Sequence, residues 1–317
     1  MKAILLDWAT MGPDLDVAEL RALLPELEIY DDTDDDQVAE RIAGAEIVLG
    51  NKVIISESLL ANAPEMRFIG LTATGTDNID LAAAKNHNVA VANIRAYCSR
   101  SVAEHVFGCL LSLAHNLGAH AADVRAGEWE KAANFCMLAH PISELSAMTM
   151  GIVGYGELGR TVARIAEAFG MDVIVAARPG SDDVPEGRVS LDELLARADA
   201  ISLHCPLNEA TRNMLGAAEF KAMKNTAIVI NTARGGLVNS AALVNALRDG
   251  DIAAAALDVL PQEPPVNGDP LLDYDGNNLM ITPHMAWGTR TARQNAIDEL
   301  TANIAAFLEG RERCRVV

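Results

Sequence analysis

Three glycines stand in the run Gly154-Tyr155-Gly156-Glu157-Leu158-Gly159. An apolar strand pattern over 150–153 precedes it, and a helical pattern over 160–168 follows. In that context the spacing is a dinucleotide fingerprint. Gly154 permits the tight turn, Gly156 lets a diphosphate approach the backbone, and Gly159 allows helix and strand to pack closely. The diphosphate then rests on the helix N-terminus, where unpaired N–H groups and the dipole favour an anion. Tyr155, Glu157 and Leu158 complete this cofactor-binding loop. The adenosine ribose is commonly held by an acid about 20 residues further on, at the end of the second strand. Here that strand ends Val175-Ala176-Ala177-Arg178-Pro179, with Ala177 at the acid position and Arg178 beside it. A missing carboxylate next to a guanidinium suits a 2′-phosphate, to which Ser181 can add a hydrogen bond. The expected coenzyme is NADP(H), with NAD(H) still usable.

Such a turn needs a parallel sheet to carry it. Strand patterns occur at 150–153, 173–175, 200–203, 227–231, 254–257 and 279–281, and a last helix covers 291–308. The first 95 residues alternate in the same way. Their strands are expected at 3–6, 28–30, 46–49, 67–71 and 89–91, and their helices at 16–24, 36–43, 56–61 and 81–86. Alternation at this spacing means parallel sheets with helices on their faces. Between the halves, Ser101-Val102-Ala103-Glu104 reads as a capping box. The segment from there to about 117 is apolar on nearly every face and calls for burial between domains or subunits. After Gly127-Glu128-Trp129 a less regular stretch runs to about 146, as an arm to a second subunit or as a surface loop.

Composition narrows the class. The 317 residues are 50% hydrophobic and 22% charged, which is an ordinary globular balance and suggests two domains. The net charge of −19 argues against nucleic acid and anionic membrane as partners. The five cysteines are odd in number and lack CxxC spacing, so neither a disulfide framework nor a zinc module is expected. No apolar run is long enough to span a membrane. The run from Asp31 to Asp36 lacks the glycine and glutamate of a calcium loop and reads as a solvated helix entry. A reduced, cytoplasmic protein without metal is expected.

Motifs along nearly the whole chain resemble the D-isomer-specific 2-hydroxyacid dehydrogenase family. They are Ala73-Thr74-Gly75-Thr76-Asp77-Asn78-Ile79-Asp80, Ser101-Val102-Ala103-Glu104-His105 and Gly151-Ile152-Val153-Gly154-Tyr155-Gly156. Further on come His204-Cys205-Pro206-Leu207, Asn231-Thr232-Ala233-Arg234-Gly235-Gly236, Leu257-Asp258-Val259, Glu263-Pro264-Pro265 and Thr282-Pro283-His284. Asn51-Lys52-Val53, Glu263-Pro264-Pro265 and His284-Met285-Ala286-Trp287 are most similar to the glycerate dehydrogenase, or hydroxypyruvate reductase, branch. The resemblance implies a Rossmann NAD(P)-binding domain over 98–287, inserted in a flavodoxin-like substrate domain made of 1–97 and 288–317, with the active site in the cleft and a homodimer as the assembly. It implies hydride transfer between NAD(P)H and a small 2-keto acid, hydroxypyruvate or glyoxylate first, another 2-keto acid second. A dinucleotide-sensing binding protein is the reading from another class. Cofactor contacts would come from His204, Cys205, Pro206, Thr211, Thr232, Ala233 and Asp258. The loop at Ala73, Thr74 and Gly75, with Lys52, would meet the substrate carboxylate.

The implied chemistry assigns roles. Reducing a 2-keto acid needs a hydride donor, a cation for the carboxylate and an acid for the carbonyl oxygen. Arg234 follows a strand at its C-terminal end, where doubly wound sheets place ligands, and its planar guanidinium can grip a carboxylate at two points. His284 follows the last strand at the same edge and is a side chain suited to proton transfer near neutrality. A carboxylate at Glu263, bonded to that imidazole, would fix its tautomer and favour its protonated form. Taken singly, each also reads as a loop residue. They lie 29 and 21 residues apart in sequence, so their convergence depends on the fold.

Overall fold

The computed structural model describes residues 1–180 and 183–317, and the chain divides into two units. Met1–Cys98 with Gly288–Val317 make one, and Ser99–Trp287 make the other.

In the first unit, β1 (Ala3–Leu5), β2 (Leu27–Ile29), β3 (Ile47–Gly50), β4 (Phe68–Leu71) and β5 (Ala90–Ala92) form a parallel sheet in the order 2-1-3-4-5. That is the flavodoxin-like winding. Short helices α1 (Ala18–Leu23), α2 (Val38–Ile42), α3 (Glu57–Ala61) and α4 (Leu81–Asn86) connect the strands. The C-terminal helix Arg290–Leu308 also packs on this sheet, with Phe307 against Phe68 at 4.7 Å between ring centroids. The chain end then bridges antiparallel to β5 through Ala92 and Arg315, so that edge amides are paired rather than open.

The second unit starts with α5 (Ser99–Ala114) and α6 (Leu117–Arg125). Strand β6 (Thr149–Val153) leads into α7 (Glu157–Ala168) and β7 (Asp172–Val175). Then come α8 (Leu191–Arg197), β8 (Ala200–Leu203), α9 (Ala217–Ala222), β9 (Ile228–Asn231), α10 (Ser240–Asp249), β10 (Ala254–Leu257) and β11 (Leu279–Ile281). All six strands are parallel, in the order β11-β10-β9-β8-β6-β7. Val189 adds a one-residue parallel bridge to Ala176 outside β7. With that rudimentary strand the order becomes 3-2-1-4-5-6-7, the Rossmann winding 3-2-1-4-5-6 with one further strand at its edge.

Strand residues alternate between two cores. Ile201, Leu203 and Val229 face one with α8, α9 and α10, while Ala200, Ile228 and Ile230 face the other with α5 and α7. Burial on both faces explains why these strands read as continuous apolar runs.

Two expectations change here. Ser101 is inside α5 rather than ahead of it, because the helix begins at Ser99, and its hydroxyl donates to Ala286 O at 2.6 Å. The capping box is therefore not formed; a tertiary carbonyl outcompetes the local amide. The apolar segment is also shorter than expected. It ends at Ala114, Asn116 turns into the left-handed region at φ 50°, and a second helix, α6, follows with none of its residues buried. The apolar residues of α5 are spent inside its own unit, against α7 and the sheet.

Candidate active site

The cofactor turn is built by close approach. A Cβ on Gly154, whose φ is +95°, would stand 2.5 Å from Cys205 N, and one on Gly159 would stand 2.1 Å from Gly154 O. Gly156 has nothing within 4 Å of its Cβ position, which leaves open space over the N-terminus of α7. Glu157 opens α7, where a carboxylate suits the dipole, and accepts from Ser99 Oγ at 2.7 Å. Leu158 is half-buried on the next position. This turn and the end of β8 flank the point where strand order reverses, the place where such sheets bind dinucleotides.

Two buried polar atoms nearby have no hydrogen-bond partner among the described residues, His204 Nδ1 after β8 and Thr232 Oγ1 after β9. Orphaned groups of this kind are uncommon and fit a ligand that completes them. The other His204 nitrogen, Nε2, sits 2.8 Å from Ser202 Oγ. Burial holds the His204 pKa down to about 4, so the ring is neutral at physiological pH. Burial also pushes the Cys205 thiol up to about 11, and Cys109 likewise, the latter helped by Asp258; neither is a thiolate nucleophile. Pro206 is exposed, and its carbonyl accepts from Thr211 Oγ1 at 2.8 Å. The Thr211 hydroxyl also accepts from Asn208 N, so it knots this turn. The set fits a nicotinamide dinucleotide.

At the expected ribose end, Ala177 is buried and its N–H donates to Val189 O at 2.7 Å. Arg178 is exposed just beyond it. Ser181 lies outside the described residues. Sequence reading missed Arg188, whose guanidinium stacks over the Tyr155 ring at 4.6 Å and reaches Ala176 O at 3.4 Å. Arg160 approaches the same ring at 5.8 Å. The Val189 bridge that brings Arg188 here carries no motif, so nothing in the sequence pointed to it.

Arg234, Glu263 and His284 all belong to this unit, in loops that follow β9, β10 and β11. Asn231, fully buried, shapes the first loop by donating to Arg234 O and accepting from Ala233 N. Arg234 and Glu263 line one cavity of about 230 Å³ with Gly235, Gly236, Leu207 and residues 259–261. Glu263 Oε1 accepts from Leu260 N at 2.9 Å, and Oε2 lies 2.7 Å from His284 Nδ1. That bond assigns hydrogen to Nδ1 and leaves Nε2 as the nitrogen a ligand could meet. Asp258, 2% exposed, organises the His284 loop from behind. Its carboxylate accepts from Thr282 Oγ1, Met285 N and Ala286 N, and its carbonyl accepts from His284 N at 2.8 Å.

In the first unit, the loop after β4 carries Ala73, Thr74 and Gly75. Asn93 and Ile94 tie its carbonyls back, Asn93 Nδ2 to Thr74 O and Ile94 N to Ala73 O. Lys52 is exposed after β3. Its loop is gripped by Asp7, a buried carboxylate that accepts from the amides of Asn51, Lys52 and Val53. Asp7 carries no motif of its own, so nothing in the sequence pointed to this grip.

Comparison with known proteins agrees with this geometry. A family model described as "D-isomer specific 2-hydroxyacid dehydrogenase, NAD binding domain" matches residues 107–286. The chain is 44% identical over 277 residues to the glycerate dehydrogenase of Methylorubrum extorquens, covering 87% of each. It is 37% identical to the hydroxypyruvate reductase of Blautia hydrogenotrophica, covering 98% of each. Its structure is similar to the NAD-complexed D-isomer specific 2-hydroxyacid dehydrogenase of Lactobacillus delbrueckii ssp. bulgaricus, with a TM-score of 0.79, 27% identity and complete coverage of both chains.

Proposed function

The chain belongs to the D-isomer specific 2-hydroxyacid dehydrogenase family, and from that premise we propose that it reduces hydroxypyruvate or glyoxylate, with NADPH favoured over NADH. It is a 2-hydroxyacid oxidoreductase with a nicotinamide dinucleotide site. The observation that carries the reading is the 2.7 Å Glu263–His284 pair in the unit that also holds Arg234 and the glycine turn. When bound, the reduced dinucleotide supplies the hydride. His284 Nε2 delivers the proton to the carbonyl oxygen, and Glu263 keeps the imidazole in the orientation that aims it. Arg234 grips the carboxylate and polarises the adjacent ketone. In the first unit we assign carboxylate binding to Lys52 and the loop at Ala73, Thr74 and Gly75.

Small substrates are supported by the names of the relatives. The NADPH preference rests on the absent carboxylate at Ala177 and on Arg178, with Arg188 adding a second guanidinium. A charge-assisted bond is worth about 1.5–3 kcal/mol, or roughly 10- to 100-fold in affinity. A reduced, cytoplasmic setting is supported by five cysteines of odd number without CxxC spacing. None of the described helices is long and apolar enough to cross a membrane. A panel of 2-keto acids assayed with both coenzymes tests the reading. Hydroxypyruvate or glyoxylate should give the highest kcat/KM, and NADPH should outperform NADH. In Ala177→Asp the NADPH/NADH ratio should fall by at least about tenfold, since a carboxylate there repels the 2′-phosphate. A ratio below one in the parent rejects the preference, and a ratio unmoved by Ala177→Asp rejects the assignment of that position.

A further inference from the structure

Helix α5 meets the loop that carries His284 at two points. Ser101 Oγ donates to Ala286 O at 2.6 Å, and His105 Nε2 stands 3.1 Å from Thr282 Oγ1. Positions 101 and 105 are about one helical turn apart and share a face of α5. Their partners, Thr282 and Ala286, lie on either side of His284 in sequence. Thr282 Oγ1 also lies 2.6 Å from Asp258 Oδ1. A hydroxyl has a single hydrogen to give, and the carboxylate, which can only accept, takes it. Thr282 Oγ1 therefore accepts from His105, and Nε2 carries the hydrogen. The His105 side chain is 16% exposed and stays 3.8 Å from Asp258 Oδ1, beyond hydrogen-bond range. Its link to the carboxylate runs through the threonine.

The loop needs such a link. His284 adopts φ 53°, in the left-handed region that a residue with a Cβ occupies only when its surroundings over-determine it. Asp258 holds the loop from the β10 side through Thr282 Oγ1, Met285 N and Ala286 N. The α5 face closes the same loop from the other side. A histidine is otherwise out of place among Val102, Ala103, Val106 and Phe107, the buried apolar residues of that part of the helix.

We propose that His105 is a positioning residue for the proton donor: by donating to Thr282 it locks the hydroxyl onto Asp258 and holds the backbone that aims His284. The proposal rests on the reading of His284 as that donor. His105 touches neither substrate nor the reacting atoms in this scheme, so its removal should slow turnover without loosening ligands.

The test compares His105→Leu, His105→Gln, His105→Asn and Thr282→Val in the full-length enzyme, with His284→Gln as control. In His105→Leu, kcat should fall about tenfold or more, the scale of a misplaced catalytic group. KM for the keto acid and Kd for the coenzyme should stay within about threefold, the signature of a defect confined to turnover. The Gln amide places a donor where imidazole Nε2 was, so His105→Gln should recover most of kcat, and His105→Asn, which is too short, should not. His105→Leu in a Thr282→Val background should cost no more than about twofold further, because the link is already cut. Parent kcat in His105→Leu overturns the proposal. So does a loss that appears in coenzyme Kd, which would make His105 a cofactor contact, or a Gln variant as slow as the Asn variant, which would make it a packing residue. If His105→Leu does not fold, the Gln-to-Asn ratio decides. Parent activity in His284→Gln would instead refute the proton-donor reading itself, whereas a slow His284→Gln beside a fast His105→Leu sinks the positioning role alone.

Discussion

His284 has one ring nitrogen committed to Glu263 at 2.7 Å and its main chain committed to Asp258. In the proposed reaction its contribution to rate is the proton it delivers. His284→Ala should therefore lower kcat by about 10²–10⁴ while coenzyme binding stays near the parent value, as steady-state rates and a binding titration would report. Arg234→Lys keeps a charge but loses the two-point fork, so KM for the keto acid should rise and kcat should fall together. Unchanged kinetics in that variant would remove Arg234 as the substrate anchor. His204 allows a pH prediction. Burial depresses its pKa from 6.5 to about 4, so between those values the unfolded chain binds a proton that the native state refuses. Stability should thus fall as pH drops through that window, by about 2 kcal/mol at pH ~4.5 relative to neutrality. His204→Gln should flatten that component of urea-unfolding curves, and an imidazole signal titrating near 6.5 would contradict the assignment. Arg234, Glu263, His284 and the glycines enter the candidate site on residue type and motif alone. Arg188 and Asp7 do not, because each acts on a partner that only folding brings close.

At the scale of elements, function depends on how closely loops after parallel strands can pass. Gly235 is the tightest of these crossings: a Cβ there would meet Leu260 C at 2.0 Å, and backbone cannot swing aside. Gly236 next to it would first meet the Leu207 side chain, at 2.9 Å. Gly235→Ala should therefore displace the loop bearing Glu263, costing about 2 kcal/mol or more of stability and at least about tenfold in kcat. Gly236→Ala should cost less in both, and equal effects in melting curves and rates would refute the crossing argument. Strand and helix order was readable from apolar runs, because a buried parallel strand leaves no room for charge. Termini were less so. The Ser101 hydroxyl bonds a carbonyl 185 residues away, and the helix break at Asn116 is a backbone choice that apolar periodicity does not encode.

For the whole molecule, the outstanding apolar surface is not on α5 but beyond it. Leu117, Val124, Trp129, Phe135, Leu138 and Ile142 are all more than half exposed, Phe135 at 90%. Clustering of large apolar side chains on one connected stretch marks an interaction surface. We propose a homodimer whose two-fold contact is made by α6 and the arm that follows it. Sedimentation at micromolar concentration should give twice the chain mass. Phe135→Glu with Leu138→Glu should shift the enzyme toward monomer, and a parent protein that sediments as a monomer would refute the assembly.

By itself the sequence determined which chemistry was available: glycines where backbone must pass backbone, a guanidinium, a carboxylate and an imidazole at strand ends, and an alanine where an acid would select the coenzyme. Those properties belong to single residues and their immediate spacing, so a linear reading reaches them. The tertiary structure alone decided which groups meet. The Glu263 contact with His284, the cavity shared by Arg234 and Glu263, and the hold of Ser101 and His105 on the loop of residues 282–286 join positions from 21 to 185 residues apart. Such contacts are set by strand order and by the packing of α5 on the sheet, which depend on the whole apolar pattern at once and are written in no local motif.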